Sequence, residues 1–138
     1  MKKTAKQVQS DIMALLAGSP LSEAISGKVY RAGLRPRDSR EEDLIVIFTT
    51  GFPGQIQTGV VTLNLYVPDI DPYDDNGVFV EDTRRCEELE QAVAVWVESL
   101  TAAVSNYRFR LQQTIYTEAE PEINQHFVVA KLQYEYFD

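Results

Sequence analysis

The most regular pattern in the sequence runs from residue 56 to residue 67, where apolar side chains recur at every second position. That spacing is typical of a β-strand, because successive side chains of a strand point to opposite faces of the sheet. The two faces consist of Val61, Leu63, Leu65 and Val67 on one side, and Val60, Thr62, Asn64 and Tyr66 on the other. A β-branched run at 44–50 and a Gly-Phe-Pro-Gly turn at 51–54 precede it. Together these segments predict an antiparallel hairpin, to which the rest of the fold must adapt.

Helical and strand periodicities place the remaining elements around this hairpin. Thr4 and Gln7 have the spacing of a capping box, and Asp82 stands where a second helix should be capped. The prediction is an α+β fold, an antiparallel sheet of about four to five strands with two main helices packed on it. Its order is α-(α)-β-β-β-α-β-β. The predicted elements are helix 4–17, a short turn of helix at 22–26 capped by Ser22, strands 28–34, 44–50, 56–67, 107–116 and 126–137, and helix 83–104, with loops at 68–80 and 117–124.

Length and composition favour one soluble domain spanning residues 1–138. The chain has 138 residues, 44% of them hydrophobic and 25% charged, which is ordinary for a globular protein. No apolar run approaches the roughly 20 residues that span a bilayer, and the basic start leads into an amphipathic segment, so we expect neither membrane insertion nor a signal peptide. The single cysteine excludes an internal disulfide and a cysteine-cluster metal site.

One predicted strand breaks the rule that a two-layer domain leaves one sheet face wet. At 44–48 both faces are apolar, with Ile45 and Ile47 on one side and Leu44, Val46 and Phe48 on the other. Two explanations stay open: the first helix covers the second face, or a neighbouring subunit covers it.

Charge is distributed unevenly along the chain, whose net charge is −8. Residues 1–40 hold eight bases and three acids, whereas residues 69–90 hold nine acids and two bases. An acidic protein is not expected to bind nucleic acid broadly. The two blocks are either solvated surface or complementary patches that meet between copies of the chain. On the second interpretation the candidate interface residues are Arg31, Arg35, Arg37, Arg40, Ile45, Ile47, Asp71, Asp74 and Asp75.

The sequence shows no catalytic constellation. Cys86 and His126 could form a nucleophile pair in space, but Glu87, Glu88 and Glu90 would raise the thiol pKa, so a buried cysteine and a surface histidine are favoured. The acidic loop from Asp69 to Gly77 departs from the EF-hand pattern and is interpreted as a surface loop of turn formers. Glu118, Glu120 and Glu122 lie in a proline-containing loop without an evident pocket. We therefore expect no enzyme, no metal and no cofactor.

Two stretches resemble the start of bacteriophage tail-completion, or tail-terminator-like, neck proteins. In that family a short helix, a G-x-V/I-Y step and a proline-bearing loop precede a P-Y-I-V type strand. Here Leu21-Ser-Glu-Ala-Ile25, Gly27-Lys-Val-Tyr30, Pro36 and Asp43-Leu-Ile-Val-Ile47 stand in those places, without the proline directly before the strand. The likeness covers the first half by motif and the second half by layout.

This resemblance implies a non-enzymatic structural subunit of a phage or prophage neck ring, often of six copies, that joins the tail tube to the head. The implied partners are the chain itself, the tail tube and head-connector proteins, without specific nucleic-acid or membrane binding. The implied location is the host cytoplasm during assembly and then the virion. Two alternatives stay open: a small acidic binding module, immunity- or antitoxin-like, that binds a basic partner, and an enzyme of unknown type with a cleft joining Cys86 and His126.

Overall fold

A computed structural model describes residues 2–73, 77–102 and 105–137 of the chain. It has the predicted α+β architecture, with three α-helices and a six-stranded, mostly antiparallel sheet. The elements in chain order are α1 Ala5–Leu16, α2 Pro20–Ala24, β1 Val29–Arg31, β2 Leu44–Pro53, β3 Gln57–Pro68, α3 Thr83–Ser99, β4 Tyr107–Leu111, β5 Tyr116–Glu120, a single 3₁₀ turn Pro121–Ile123 and β6 Gln125–Tyr136.

The sheet has the strand order β1-β2-β3-β6-β4, and β5 also pairs with β6. β2, β3 and β6 are its long central strands, and β1 is a short edge strand. β1 runs parallel to β2, whereas all other pairs are antiparallel. β4 pairs with the second half of β6 and β5 with the first half, so they share one edge of that strand.

Local chemistry explains where the helices begin. Thr4 accepts from the Gln7 backbone N–H while the Gln7 side chain accepts from the Thr4 N–H, which confirms the capping box. Asp82 caps α3 through the Arg85 N–H. The predicted cap of α2 is wrong: Ser19, not Ser22, accepts the bond, because Pro20 starts the helix earlier. α3 ends at Ser99, so the predicted helix 83–104 is too long, and its last two positions, 103–104, lie outside the described residues.

The hydrophobic core lies between the helices and one face of the sheet. That face is formed by the inward residues of the three long strands, and both main helices pack on it. The core comprises Val8, Ile12, Leu16, Leu21 and Ile25 from the first two helices, Leu44, Val46, Val61, Leu63, Leu65, Val67, Val128, Ala130, Leu132 and Tyr134 from the sheet, and Cys86, Leu89, Val93, Trp96, Val97 and Leu100 from α3 and its C-cap. No helix of the described ranges is long and apolar enough to cross a membrane.

The predicted turn at 51–54 is wrong, because β2 continues to Pro53. Gly51 and Gly59 pair across the hairpin, and both lie over the buried ring of Tyr134. A Cβ on Gly59 would lie 2.3 Å from the Thr50 backbone oxygen and 2.6 Å from the Tyr134 hydroxyl oxygen, so this glycine makes room for both the neighbouring strand and a core side chain. Gly51 therefore occupies a strand position next to a large aromatic ring, although the Gly-Phe-Pro-Gly segment resembles a turn in the sequence.

The predicted strand 107–116 and loop 117–124 are also corrected. The chain leaves β6 after Leu111, bends, and returns as β5 to pair with a different part of the same strand. Glu118 and Glu120, which we placed in a loop, lie in β5, and Glu122 lies in the 3₁₀ turn. This adds the sixth strand.

Candidate interaction surfaces

The second apolar face of β2 is not covered by the first helix. α1 packs on the side of Leu44 and Val46, which belong to the core with Val8 and Ile12. Ile45 and Ile47 point to the opposite face, outside that core, where Ile45 is only 7% exposed and Ile47 is half-buried. The first of our two explanations is therefore wrong. Because Ile45 is already buried within the single chain, its predicted interface position is also wrong, and coverage by a neighbouring subunit stays a prediction only for Ile47.

Arg35 has a structural role inside its own chain. Its guanidinium lies 2.8 Å from the Asp43 carboxylate, and the two side chains are 10% and 2% exposed. It also donates to the side-chain oxygen of Gln125 and stacks 4.2 Å from the centre of the Tyr66 ring. The prediction that Arg35 lies at an interface between copies is wrong. Its contacts instead hold the 32–43 loop against the end of β3 and the start of β6.

Hydrogen bonds to Asp43 hold this network together. Burial raises the pKa of its carboxyl, but donors from Ser39, Arg35 and the Lys28 backbone outweigh that effect and hold the pKa below its ordinary value of 3.8. Asp43 is therefore ionised whenever the protein is folded near neutral pH.

The other three predicted arginines lie closer to the surface. Arg31 donates to the Lys6 carbonyl and the Ser10 hydroxyl of α1. Arg40 donates to the Ile123 carbonyl at 2.9 Å, and Arg37 is exposed. The acidic segment is tied to the same strand end, because the Asp69 N–H donates to the Asn124 carbonyl. Arg40 and Asp69 thus lie at the same end of the sheet in a single chain, whereas Lys2 of the basic block lies at the other end, on the carbonyls of Gly54 and Gln55. The separation of the two blocks in sequence therefore does not produce two separate charged faces.

The segment after β3 exposes more apolar surface than its acidic sequence suggested. Asp71 accepts from the N–H groups of Tyr73 and Gly77, and Ile70 forms a β-bridge with Val80. Asp74 and Asp75 lie outside the described residues. Five large apolar side chains around this turn are exposed, up to 64% for Tyr73. We call them the loop surface: Ile70, Tyr73, Val78, Phe79 and Val80.

A groove of about 540 Å³ lies at the other end of the sheet, on the face opposite the helices. Two cross-strand rows form its floor, since residues paired across a sheet share a face. The rows are Phe52, Thr58, Glu135 and Arg108, and Thr50, Val60, Gln133 and Arg110. We call this site the basic groove.

The groove combines two apolar side chains, Phe52 and Val60, with two arginines and one glutamate, Glu135. Phe52 is 60% exposed. Arg110 donates to the Gln133 side chain, and Arg108 stacks on Phe137. Within the described residues, no carboxylate oxygen lies within the 4.0 Å of a salt bridge from either arginine. The predicted strand 107–116 puts Arg108 and Arg110 on one face, but the pairing across the sheet that adds Phe52 and Val60 was not predicted.

His126 and Cys86 share two acidic neighbours. His126 Nδ1 lies 2.6 Å from Asp69, and its Nε2 lies 3.6 Å from Glu81. Cys86 belongs to the core and is 2% exposed; burial, with the charges of Glu81, Asp82, Glu90 and Asp69, raises its pKa to about 12. The thiol is therefore protonated at neutral pH and is not an activated nucleophile. In the described ranges, no group of three or more histidine, cysteine or acidic residues could hold a metal ion.

Comparison with known proteins adds no relative. No protein-family model matches the chain, and a search of curated proteins gives no match.

Proposed function

We propose that this protein is a non-enzymatic structural subunit of a phage or prophage neck ring, of the tail-terminator kind, joining the tail tube to the head. The observation that carries the proposal is the placement of exposed apolar side chains at both ends of one sheet, in the loop surface and at Phe52 in the basic groove. Apolar side chains clustered on a surface favour contacts with other proteins. Contacts at opposite ends favour assembly of several copies.

The residues that carry the family resemblance have a local structural purpose. Gly27 donates its N–H to the Glu42 carbonyl, and a Cβ on Gly27 would collide with Asp43 and the Glu42 backbone. The Gly-Lys-Val-Tyr step thus brings the chain into β1 beside the start of β2. These residues serve the fold of this chain, and the support for the proposed function comes chiefly from the surfaces.

The charge of the chain suits a channel for DNA. A ring built from subunits of net charge −8 would repel phosphates and let DNA pass without binding it. Such a subunit would assemble in the host cytoplasm and remain in the virion.

Light scattering on the purified chain at physiological salt and high concentration tests the proposal. We expect a defined oligomer, alone or after mixing with the tail-tube protein encoded nearby, among neighbouring capsid and tail genes. A strict monomer that ignores the tail-tube protein would argue against it. A toxin gene next door, and a complex of one copy with that toxin, would favour the acidic binding module instead, for which the loop surface is the candidate contact.

A further inference from the structure

The loop surface and the basic groove complement each other in chemistry. The loop surface presents five apolar side chains in the most acidic stretch of the chain, beside Asp71 and Glu81. The groove presents the exposed ring of Phe52 on β2 and, across β3 and β6, Arg108 and Arg110 on β4. Glu135 lies opposite Arg108 in the same row, and in the described residues neither arginine forms a salt bridge, so the lining keeps one positive charge in excess. Its volume of about 540 Å³ falls within the range of pockets that take ligand-sized groups, so it has room for aromatic side chains such as Phe79.

The two surfaces cannot meet within one chain. The loop surface follows the end of β3 at Pro68, whereas the groove lies at the start of β3, around Thr58. β3 has 12 residues, and at about 3.3 Å per residue its ends are roughly 36 Å apart. A contact between the two surfaces therefore requires a second molecule.

We propose that the loop surface of one copy docks into the basic groove of the next copy, as a head-to-tail contact. Such a contact joins different patches on the two subunits, so repetition generates a ring when the rotation closes. Apolar side chains supply the buried area, and the arginines fix the orientation against the acidic loop. This inference deepens the proposed function, because it names the contact by which the ring would form.

Two variants, each damaged on one surface, test the contact. R108E/R110E reverses the charge of the groove, and V78S/F79S removes apolar side chains from the loop surface. We expect the dissociation constant for self-association of each variant alone to rise about tenfold or more. A mixture of the two should form a one-to-one heterodimer, because one intact groove and one intact loop remain and neither can propagate. K6E/R84E is the matched control, since Lys6 and Arg84 are exposed and the change in net charge is the same; it should assemble like the parent chain.

Cross-linking gives a second measurement, whose positive result cannot be explained by a loss of fold stability in the variants. F79C and Q112C each add one thiol, in the loop surface and in the groove lining respectively. Because Cys86 is buried and protonated, oxidation should link F79C to Q112C in the mixture and leave each variant alone largely unlinked.

The outcomes separate the contact from the function. The contact is overturned if both surface variants assemble like the parent chain, or if the mixture forms no cross-link. In either case an oligomer that binds tail-tube protein would still support the proposed ring. A monomeric parent chain whose groove binds a different protein also overturns the contact. A chain that assembles through loop and groove, but ignores tail-tube protein and has no phage genes beside it, upholds the contact and refutes the neck function.

Discussion

Replacing Asp43 with asparagine removes the one negative charge inside the network that fastens the 32–43 loop to the sheet. The carboxylate accepts from the Lys28 N–H at 2.9 Å, the Ser39 hydroxyl and Arg35 at 2.8 Å. Asparagine keeps an acceptor for Lys28, but its amide hydrogens would face the Arg35 guanidinium. A buried guanidinium then lacks its counter-charge.

The size of the effect follows from burial. Breaking a buried ion pair by removing one partner costs about 3–5 kcal/mol, because the remaining charge stays uncompensated. Arg35 keeps hydrogen bonds to Gln125 and to the Ser39 and Glu41 carbonyls, which favours the lower end, about 3 kcal/mol. For a chain of 138 residues this corresponds to a fall in Tm of roughly 10 °C.

Thermal and urea unfolding followed by circular dichroism measure the change. D38N, an exposed aspartate of the same loop, is the control and should stay within about 0.5 kcal/mol of the parent. The double variant R35M/D43N should be less destabilised than the sum of the single variants, since it leaves no unpaired charge.

The pH dependence gives an independent check with a definite sign. The pKa of Asp43 is lowered by folding, so the unfolded chain takes up a proton first as pH falls. The stabilisation is complete well above 3.8 and is lost as the pH drops through the lower folded-state pKa. The gap between parent and D43N should thus be wide at pH 7 and narrow below about pH 4. A gap under about 1 kcal/mol at pH 7, or one that does not change with pH, would refute this account.

Three further predictions probe the core and one helix start. G59A should destabilise by about 1–3 kcal/mol in urea unfolding, because its Cβ would press on the Thr50 backbone carbonyl oxygen and on the Tyr134 hydroxyl; an unchanged midpoint would mean that both the hairpin backbone and the ring shift without cost. T4A should cost about 1 kcal/mol by loss of the cap of α1, whereas T4S should retain most of it; equal stability of the two variants would contradict the capping role. Cys86 should react with a thiol reagent at pH 8 only on unfolding, since burial and acidic neighbours raise its pKa to about 12; fast labelling of the native chain would place the thiol at the surface.

The elements that sequence predicted correctly are those whose signals are local. The capping box of α1, the Asp82 cap and the period-two alternation of β3 each depend on residues a few positions apart, so they can be seen without the fold. The α+β class follows from them, because an amphipathic helix and a half-apolar strand each need a partner layer.

The features that sequence missed depend on contacts between distant segments. Gly51 continues a strand because Tyr134 lies beneath it, and β5 is a strand because β6 offers an unused length of edge. Arg35 was assigned to an interface, yet its partner Gln125 lies 90 residues further along the chain. Charge blocks along a sequence therefore give no map of charged faces until the topology is known.

The hydrophobic core and the two proposed contact surfaces consist of different residues, so the role of the surfaces can be considered apart from fold stability. Leu63, Leu65 and Leu132 are sealed between sheet and helices without help from Phe52 or Phe79, which remain exposed. Replacing an exposed apolar side chain by a polar one usually changes stability by no more than about 0.5 kcal/mol. Fold stability therefore gives no reason for large apolar groups at both ends of the sheet, whereas a contact between copies gives one. Because the fold tolerates their replacement, a loss of assembly in those variants would report on the contact itself.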